Sequence, residues 1–536
     1  MKTVAVYDTT LRDGTQAEEL NLTTEDKLRI ALKLDELGVR YIEGGWPGSN
    51  PTDIQFFREI KGYDLKNATV AAFGSTHNAK VAPENDQSLK AIVEARTDAA
   101  TIFGKTWDLH VTKALGISLE RNLEIIRSSL AFLRPKVREL FYDLEHCFDG
   151  FAANRDYALA CMRAAYEAGA DVLVLCDTNG GTLPHQVAEV FRAVQKALPE
   201  AKLGIHTHND SELAVANSIE AVRLGAVQVQ GTINGYGERC GNANLCSIIP
   251  NLELKLGVRC LGKKQLVKLT QTAHFVCETA NLRPFTRQPF VGRSAFTHKA
   301  GVHVHAVLKD PKTYEHMDPK LVGNKQRILL SDLSGRSNIM FKARQYGYDL
   351  NRDDPAVQDL LAEVKRRESL GYEYSVAEAS FEMLFFRTMG WTKRYFQHVN
   401  YRVLVGKGEG KEPFSEATVM LKVQGEEVHT AATGRGPVNA LDSALRRALE
   451  RAYPNLKEMR LLDFKVRVLS APSRDTTGTA SFVRVLIESG DRTERWTTVG
   501  VSHNIIEASW QGLMDAFNYK LFKDDPQKWP SHPPRK

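Results

Sequence analysis

LGIHTHND, residues 203–210, is a short apolar run that breaks into two histidines, an asparagine and an aspartate. In an extended strand successive side chains alternate faces, so His206 and His208 point the same way while Thr207 faces the other. That spacing suits a metal ion at a strand end. Two further segments share the pattern of a strand-like run followed by polar residues: DTTLRDGTQ at 8–16 and GYGERCGNANL at 235–245. Asp13, His206, His208 and the amide oxygen of Asn242 together offer carboxylate, imidazole and carbonyl ligands. Such a donor set suits Mg2+, Mn2+, Co2+ or Zn2+ and not a soft metal.

Whether these ligands meet depends on the fold. Strand-like runs fall at TVAVYD (3–8), YIEGG (41–45), TVAAFGS (69–75), AATIFGK (99–105), ELFYDLE (139–145), VLVLCDT (172–178), LGIHTHN (203–209) and AVQVQGTI (226–233). Amphipathic stretches lie between them, such as TTEDKLRIALKLDELG (23–38), which opens on a capping Thr and closes on Gly38, and RDYALACMRAAYEAGA (155–170). Eight βα units with strands apolar throughout predict a closed parallel TIM barrel, because both faces of each strand must be buried. A doubly wound sheet is the alternative. The positions of Arg12, Asp13, Glu43, Glu145, Asp177, His206, His208 and Asn242 favour the barrel. All sit at or just past strand C-termini, which in a barrel converge on one mouth.

The chain of 536 residues exceeds one domain. Residues 1–260 carry the barrel and 261–395 look mainly helical, with an irregular stretch from Arg283 to Gly335 rich in His, Pro, Gly and Arg. Residues 396–523 are β-rich and repeat internally at an offset of 66, Gly434 matching Gly500 and Ser443 matching Ser509. In each copy a strand ends on Gly and feeds a helix, which predicts an α+β module for dimerisation or for a small ligand. Gly434, Gly436, Gly500 and Ser502 lead into these helices, where backbone amides can bind a carboxylate. The Pro-rich tail, 524–536, is expected to be disordered.

Composition excludes other classes. Apolar residues at 43% and charged residues at 25% are ordinary for a soluble globular protein. The net charge of +6 comes without a Lys/Arg stripe interleaved with aromatics, so no nucleic-acid partner is expected and an anionic small substrate fits better. No apolar run reaches the ~20 residues of a membrane span, and Met1 leads straight into a strand with no signal-peptide pattern. Seven cysteines, odd in number and never paired as CxxC, predict free thiols in a reducing cytoplasm.

DTTLRDGTQ, HTHND and GYGERCGNANL resemble the signature segments of the DRE-TIM metallolyase superfamily, in its Claisen-condensing branch of 2-isopropylmalate, homocitrate and citramalate synthases. HKAGVH (298–303), TYEHMDP (313–319) and the stretch from GRGPVNALDSAL to VSHNIIEAS resemble the subdomain and the LeuA-type C-terminal regulatory domain of that branch. IEGGWPGSNPTD (42–53) and LFYDLEHCFDGF (140–151) are most similar to the citramalate synthase clade. The resemblance implies acetyl-CoA and pyruvate as substrates, a divalent metal, a homodimer and feedback inhibition by isoleucine. It also implies roles: Arg12 over the developing oxyanion, Thr178 on the keto-acid carboxylate, Gln16 and Glu43 shaping the pocket, and Glu145, His303 and Tyr314 as the acid–base set. Spacing alone does not choose His303 over its neighbours His298 and His305.

Overall fold

The computed structural model describes residues 3–329, 336–346, 348, 350–351, 354–390, 393–410, 412–469 and 481–525. Its first compact unit comprises Met1–Phe296 with Met317–Gln326, and its second Thr297–His316 with Arg327–Lys536. In the first, β1 (Ala5–Asp8), β2 (Tyr41–Gly45), β3 (Thr69–Ser75), β4 (Ala99–Lys105), β5 (Glu139–Glu145), β6 (Val172–Asp177), β7 (Leu203–Thr207) and β8 (Gln228–Gly231) close into a parallel barrel in sequence order. The predicted barrel is thus present with all eight strands. β1 starts at Ala5 rather than residue 3 because Thr3 bridges to Arg259 instead of continuing the ladder. β8 is shorter than expected because Thr232 turns to pair with Asn244.

Local chemistry sets the elements. Helix Thr24–Leu37 begins where the Thr23 hydroxyl accepts from the Asp26 amide and the Asp26 carboxylate accepts from the Thr23 amide. It ends where Gly38, at φ 91°, turns left-handed, a conformation that costs glycine little. Strands β6 and β7 are buried along their whole length, as strands between an outer helical layer and a filled interior must be. Tyr7, Tyr41 and Phe141 fill one end of that interior, the Phe141 ring edge-on to both tyrosines with centroids 5.9 and 5.0 Å away. Burying each such ring stabilises the barrel by roughly 1.5–3 kcal/mol. Because the interior is packed, any site must lie at a mouth.

In the second unit the short strands β9 (Thr297–His298) and β10 (Arg327–Ile328) pair in parallel. Helices Arg336–Gln345, Pro355–Ser369 and Glu378–Thr388 follow. Two antiparallel three-stranded sheets come next, β11 (Phe396–Gly406), β12 (Phe414–Val423), β13 (Glu426–Gly434), and β14 (Arg460–Val468), β15 (Val483–Gly490), β16 (Arg495–Ser502). Each feeds a helix, Pro437–Leu449 and Ile505–Asp524. The internal repeat read from the sequence is therefore a repeated sheet-plus-helix. The Pro-rich tail lies outside the described residues from position 526 onward.

Candidate active site at the barrel mouth

Asp13 follows β1, His206 lies in β7 and His208 just past it, so all three stand at the C-terminal mouth. The Asp177 carbonyl accepts from the His208 amide at 3.1 Å, which fixes the histidine backbone against the end of β6. His206 Nε2 lies 3.2 Å and His208 Nε2 3.9 Å from Asp13 Oδ2. The ligand atoms of the three residues all fall within 4.8 Å of one another, and all three are buried. Asn242 bridges to His208 across the neighbouring loop, where Gly241, at φ 90°, supplies the turn. Its Nδ2 donates to the Tyr236 carbonyl at 3.2 Å, while its buried Oδ1 has no hydrogen-bond partner among the described residues. A buried acceptor left open costs free energy unless a ligand satisfies it. One ionised carboxylate, two imidazoles and an open amide oxygen fit a divalent cation.

The electrostatics of Asp13 and His208 agree with that reading, whereas at His206 burial, which favours the neutral ring, is outweighed by the hydrogen bond and charge of Asp13, which raise its pKa. Burial pushes the Asp13 carboxyl upward, but the Arg12 guanidinium and the His206 hydrogen bond hold it well below the usual carboxylate range. Burial, reinforced by neighbouring His206, pushes His208 down to about 4, which leaves its imidazole neutral. Gln230 orients the other histidine: its Oε1 accepts from His206 Nδ1 at 2.9 Å, and its Nε2 donates to Asp143 Oδ1 at 3.1 Å. That chain commits the Nδ1 proton outward and turns Nε2 toward Asp13.

A cavity of about 260 Å³ opens over this cluster, lined among others by Arg12, Gln16, Glu145 and Thr178. Trp46, Phe73 and Phe103 form one wall, Phe73 and Phe103 stacked at 5.5 Å and Trp46 edge-on to both. The Arg12 guanidinium carbon sits 3.7 Å above the Phe73 centroid. Glu43 is fully buried and reaches the site through Arg12, whose Nε donates to its Oε2 at 2.6 Å. Thr178 Oγ1 accepts the His146 amide at 2.8 Å, which leaves its hydroxyl proton free to donate. Arg239 is held chiefly by Asp210, at 2.8 and 3.0 Å, with the Glu238 pairing longer at 3.3 Å.

The structure thus brings together Arg12, Asp13, Gln16, Glu145, Thr178, His206, His208 and Asn242, with Glu43 behind Arg12. His303 and Tyr314 belong to the second unit, where both are exposed and their ring centroids lie 4.3 Å apart. Gly436 caps helix Pro437–Leu449. Gly434 and Gly500 have a packing reason to be glycine: a Cβ would run into the backbone of Ala440 and of Ala508 respectively. Ser502 Oγ accepts from the Asn504 amide, and Asn504, not Ser502, caps helix Ile505–Asp524. Sequence reasoning did not single out Gln230, Asp143, Trp46, Phe73 or Phe103. Gln228 and Gln230 alternate with valines, a period-two polar face inside an apolar strand, and that signal marks Gln230.

Comparison with known proteins adds identity to this geometry. The HMGL-like family matches residues 3–276, a homocitrate synthase post-HMGL domain-like family matches 290–370, and the LeuA allosteric (dimerisation) domain matches 375–521. An (R)-citramalate synthase of Geobacter sulfurreducens is 57% identical over 98% of this chain and 99% of its own length. That of Aquifex aeolicus is 52% identical over 97% and 98%. A 2-isopropylmalate synthase of Pseudoalteromonas atlantica aligns over 96% of this chain and 95% of its own, but at 31% identity. Further (R)-citramalate synthases, of Streptomyces coelicolor and Sulfolobus acidocaldarius, are 46% identical over 97% of this chain, also well above that 31%. The chain belongs to the HMGL-like family and, within it, to the (R)-citramalate synthases.

Proposed function

We propose that the protein is an acyltransferase that condenses acetyl-CoA with pyruvate and water to give (R)-citramalate and CoA, supplying 2-oxobutanoate for isoleucine synthesis. The observation that carries this reading is the small aromatic-walled cavity directly over the Asp13, His206 and His208 cluster, in a chain 57% identical to an (R)-citramalate synthase. A wall of Trp46, Phe73 and Phe103 suits a keto acid with a methyl side chain better than one with a branched or carboxylated chain.

Asp13, His206, His208 and Asn242 would hold a Mg2+ or Mn2+ ion, the donors also admitting Co2+ or Zn2+, and the ion would supply Lewis-acid polarisation of the keto group. Arg12, fixed on Glu43 and Asp13, presents its remaining N–H groups to the cavity and stabilises the negative charge that develops on the ketone oxygen. The free Thr178 hydroxyl donates to the keto-acid carboxylate. Gln16 lines the same space, and Glu43 shapes it by holding Arg12. Glu145, His303 and Tyr314 form the acid–base set acting on the acetyl methyl group. Support for the last two comes from their setting in HKAGVH and TYEHMDP and from the closeness of imidazole and phenol. Water then hydrolyses the thioester, and release of CoA makes the reaction effectively irreversible.

The LeuA domain match supports a homodimer and regulation; in our reading isoleucine is the feedback inhibitor, bound near Gly434, Gly436, Gly500 and Ser502, where each sheet feeds its helix. All seven cysteines are free thiols, which fits the reducing cytoplasm we propose as its location; no helix among the described residues is long and apolar enough to cross a membrane. Purified protein supplied with acetyl-CoA, pyruvate and Mn2+ should release free thiol and (R)-citramalate in equal amounts, identified by chiral chromatography. Absence of thiol release with every 2-oxo acid would favour a non-catalytic sensor. Isoleucine should slow the full chain and protect amides within 396–523 from deuterium exchange; protection confined to the barrel contradicts that site.

A further inference from the structure

Lys105 ends β4 and Glu145 ends β5, and the two stand directly opposite in the parallel register. Lys105 Nζ forms an ion pair with Glu145 Oε2, the two side chains being 20% and 22% exposed. Both partners are anchored from behind. Asn122 Nδ2 donates to the Lys105 carbonyl at 2.9 Å, and the Thr106 amide donates to the Glu145 carbonyl at 3.2 Å. On its other side the Lys105 ammonium lies 5.6 Å from the Phe103 ring centroid. Phe103 and Glu145 both line the cavity over the metal-ligand cluster.

Ion pairs between freely exposed side chains add almost nothing, because both partners sample many rotamers and water screens them. This pair differs in being four-fifths covered, in closing across adjacent strands of a rigid barrel, and in holding a carboxylate that faces the cavity. Strand C-termini of such barrels are where catalytic groups sit. A carboxylate at an open mouth has several rotamers, and confining it to one raises the share of productive encounters.

We propose that Lys105 is a positioning residue: its ammonium fixes the Glu145 carboxylate against the cavity wall, aimed at the acetyl methyl group. In the step served, the C–H bond of that methyl breaks and its proton passes to a Glu145 oxygen. The C–H electron pair stays on carbon and forms the new bond to the ketone carbon, while the π pair of that C=O bond moves onto its oxygen, giving the alkoxide that Arg12 stabilises. Lysine suits the task as a compact point charge on a flexible stem, and arginine can replace it only with a different reach. The inference rests on reading Glu145 as a member of the acid–base set.

The test is a double-mutant cycle in the full chain with Lys105→Met, Glu145→Gln and both together, followed by thiol release from acetyl-CoA and by calorimetric Mn2+ titration. Lys105→Met should lower kcat by about 10- to 100-fold while leaving KM for pyruvate and the Mn2+ dissociation constant within about twofold. The double variant should be no slower than Glu145→Gln alone, because a positioning residue has nothing left to position. Lys105→Arg should recover much of the rate, which also separates the loss from misfolding. Lys105→Met at wild-type kcat beside a slow Glu145→Gln, or losses that multiply in the double variant, would overturn the inference alone. Glu145→Gln at the wild-type rate would overturn the acid–base reading and the inference with it.

Discussion

Arg12 Nε lies 2.6 Å from Glu43 Oε2, and the same guanidinium reaches Asp13 Oδ1 at 3.2 Å. Glu43 in turn accepts from the Tyr7 hydroxyl at 2.8 Å deep in the barrel. Two carboxylates and the face of Phe73 therefore hold the arginine in one orientation beside the metal ligands. Lysine cannot form that fork, since it carries a single nitrogen. Arg12→Lys should lower kcat for thiol release by about 100- to 1,000-fold, the usual loss for a group that stabilises an oxyanion. A kcat within tenfold of wild type would show that Arg12 is only an ion-pair partner.

Gln230 connects His206 to Asp143 through two hydrogen bonds of 2.9 and 3.1 Å. Gln230→Leu keeps the bulk and removes both. The imidazole then loses the partner that fixes its tautomer, and Mn2+ affinity should fall by about 10- to 100-fold. Isothermal titration of the metal into the variant checks this directly. Unchanged affinity would place the cation elsewhere.

Asp8 is buried beneath the same mouth, its carboxylate accepting from the Thr10 amide and hydroxyl at 2.9 and 3.0 Å. Burial outweighs those bonds and raises its pKa from 3.8 to about 7. A carboxyl with a raised folded-state value contributes its full stability below the unfolded value of 3.8 and loses it as pH rises through about 7. Asp143, likewise raised to about 7 by burial, adds to the same slope. Asp8→Asn keeps the acceptor for the Thr10 amide and cannot ionise. The variant should gain Tm relative to wild type at pH 8 by more than at pH 5, measured by thermal denaturation. An equal difference at both pH values would show that Asp8 does not titrate in this range.

Trp46 stands edge-on to Phe73 and Phe103 with centroids 5.8 and 5.7 Å away. Trp46→Ala removes one side of the wall and opens room for a larger side chain. The ratio of kcat/KM for 2-oxoisovalerate to that for pyruvate should rise by about tenfold or more, the scale on which one methylene is discriminated in an apolar pocket. A constant ratio would mean that the keto-acid side chain does not meet this wall.

The metal ligands were legible because strand alternation and barrel closure are both period rules. His206 and His208 share a face at any register, and eight parallel strands bring Asp13 and Asn242 to the same rim. Helix Thr24–Leu37 was readable to its caps for the same reason, that the signal is local. Gln230 was harder, since a buried polar residue inside a strand reads as a flaw in the apolar pattern until its partners are known. Trp46 gave no periodic signal, because its meaning comes from Phe73 and Phe103, which arrive from two other strands. The 4.3 Å approach of the His303 and Tyr314 rings depends on the intervening short helix Gly301–Lys309 and the turn after it, and residue spacing does not encode it.

The central claim, that the cavity over Asp13, His206 and His208 takes pyruvate, is tested most directly by a steady-state panel. Pyruvate, 2-oxobutanoate, 2-oxoisovalerate and 2-oxoglutarate are each supplied with acetyl-CoA and Mn2+, and kcat/KM is measured by thiol release. The account predicts the highest kcat/KM for pyruvate, with 2-oxoisovalerate and 2-oxoglutarate at least about 100-fold lower. A preference for 2-oxoisovalerate or 2-oxoglutarate would contradict it.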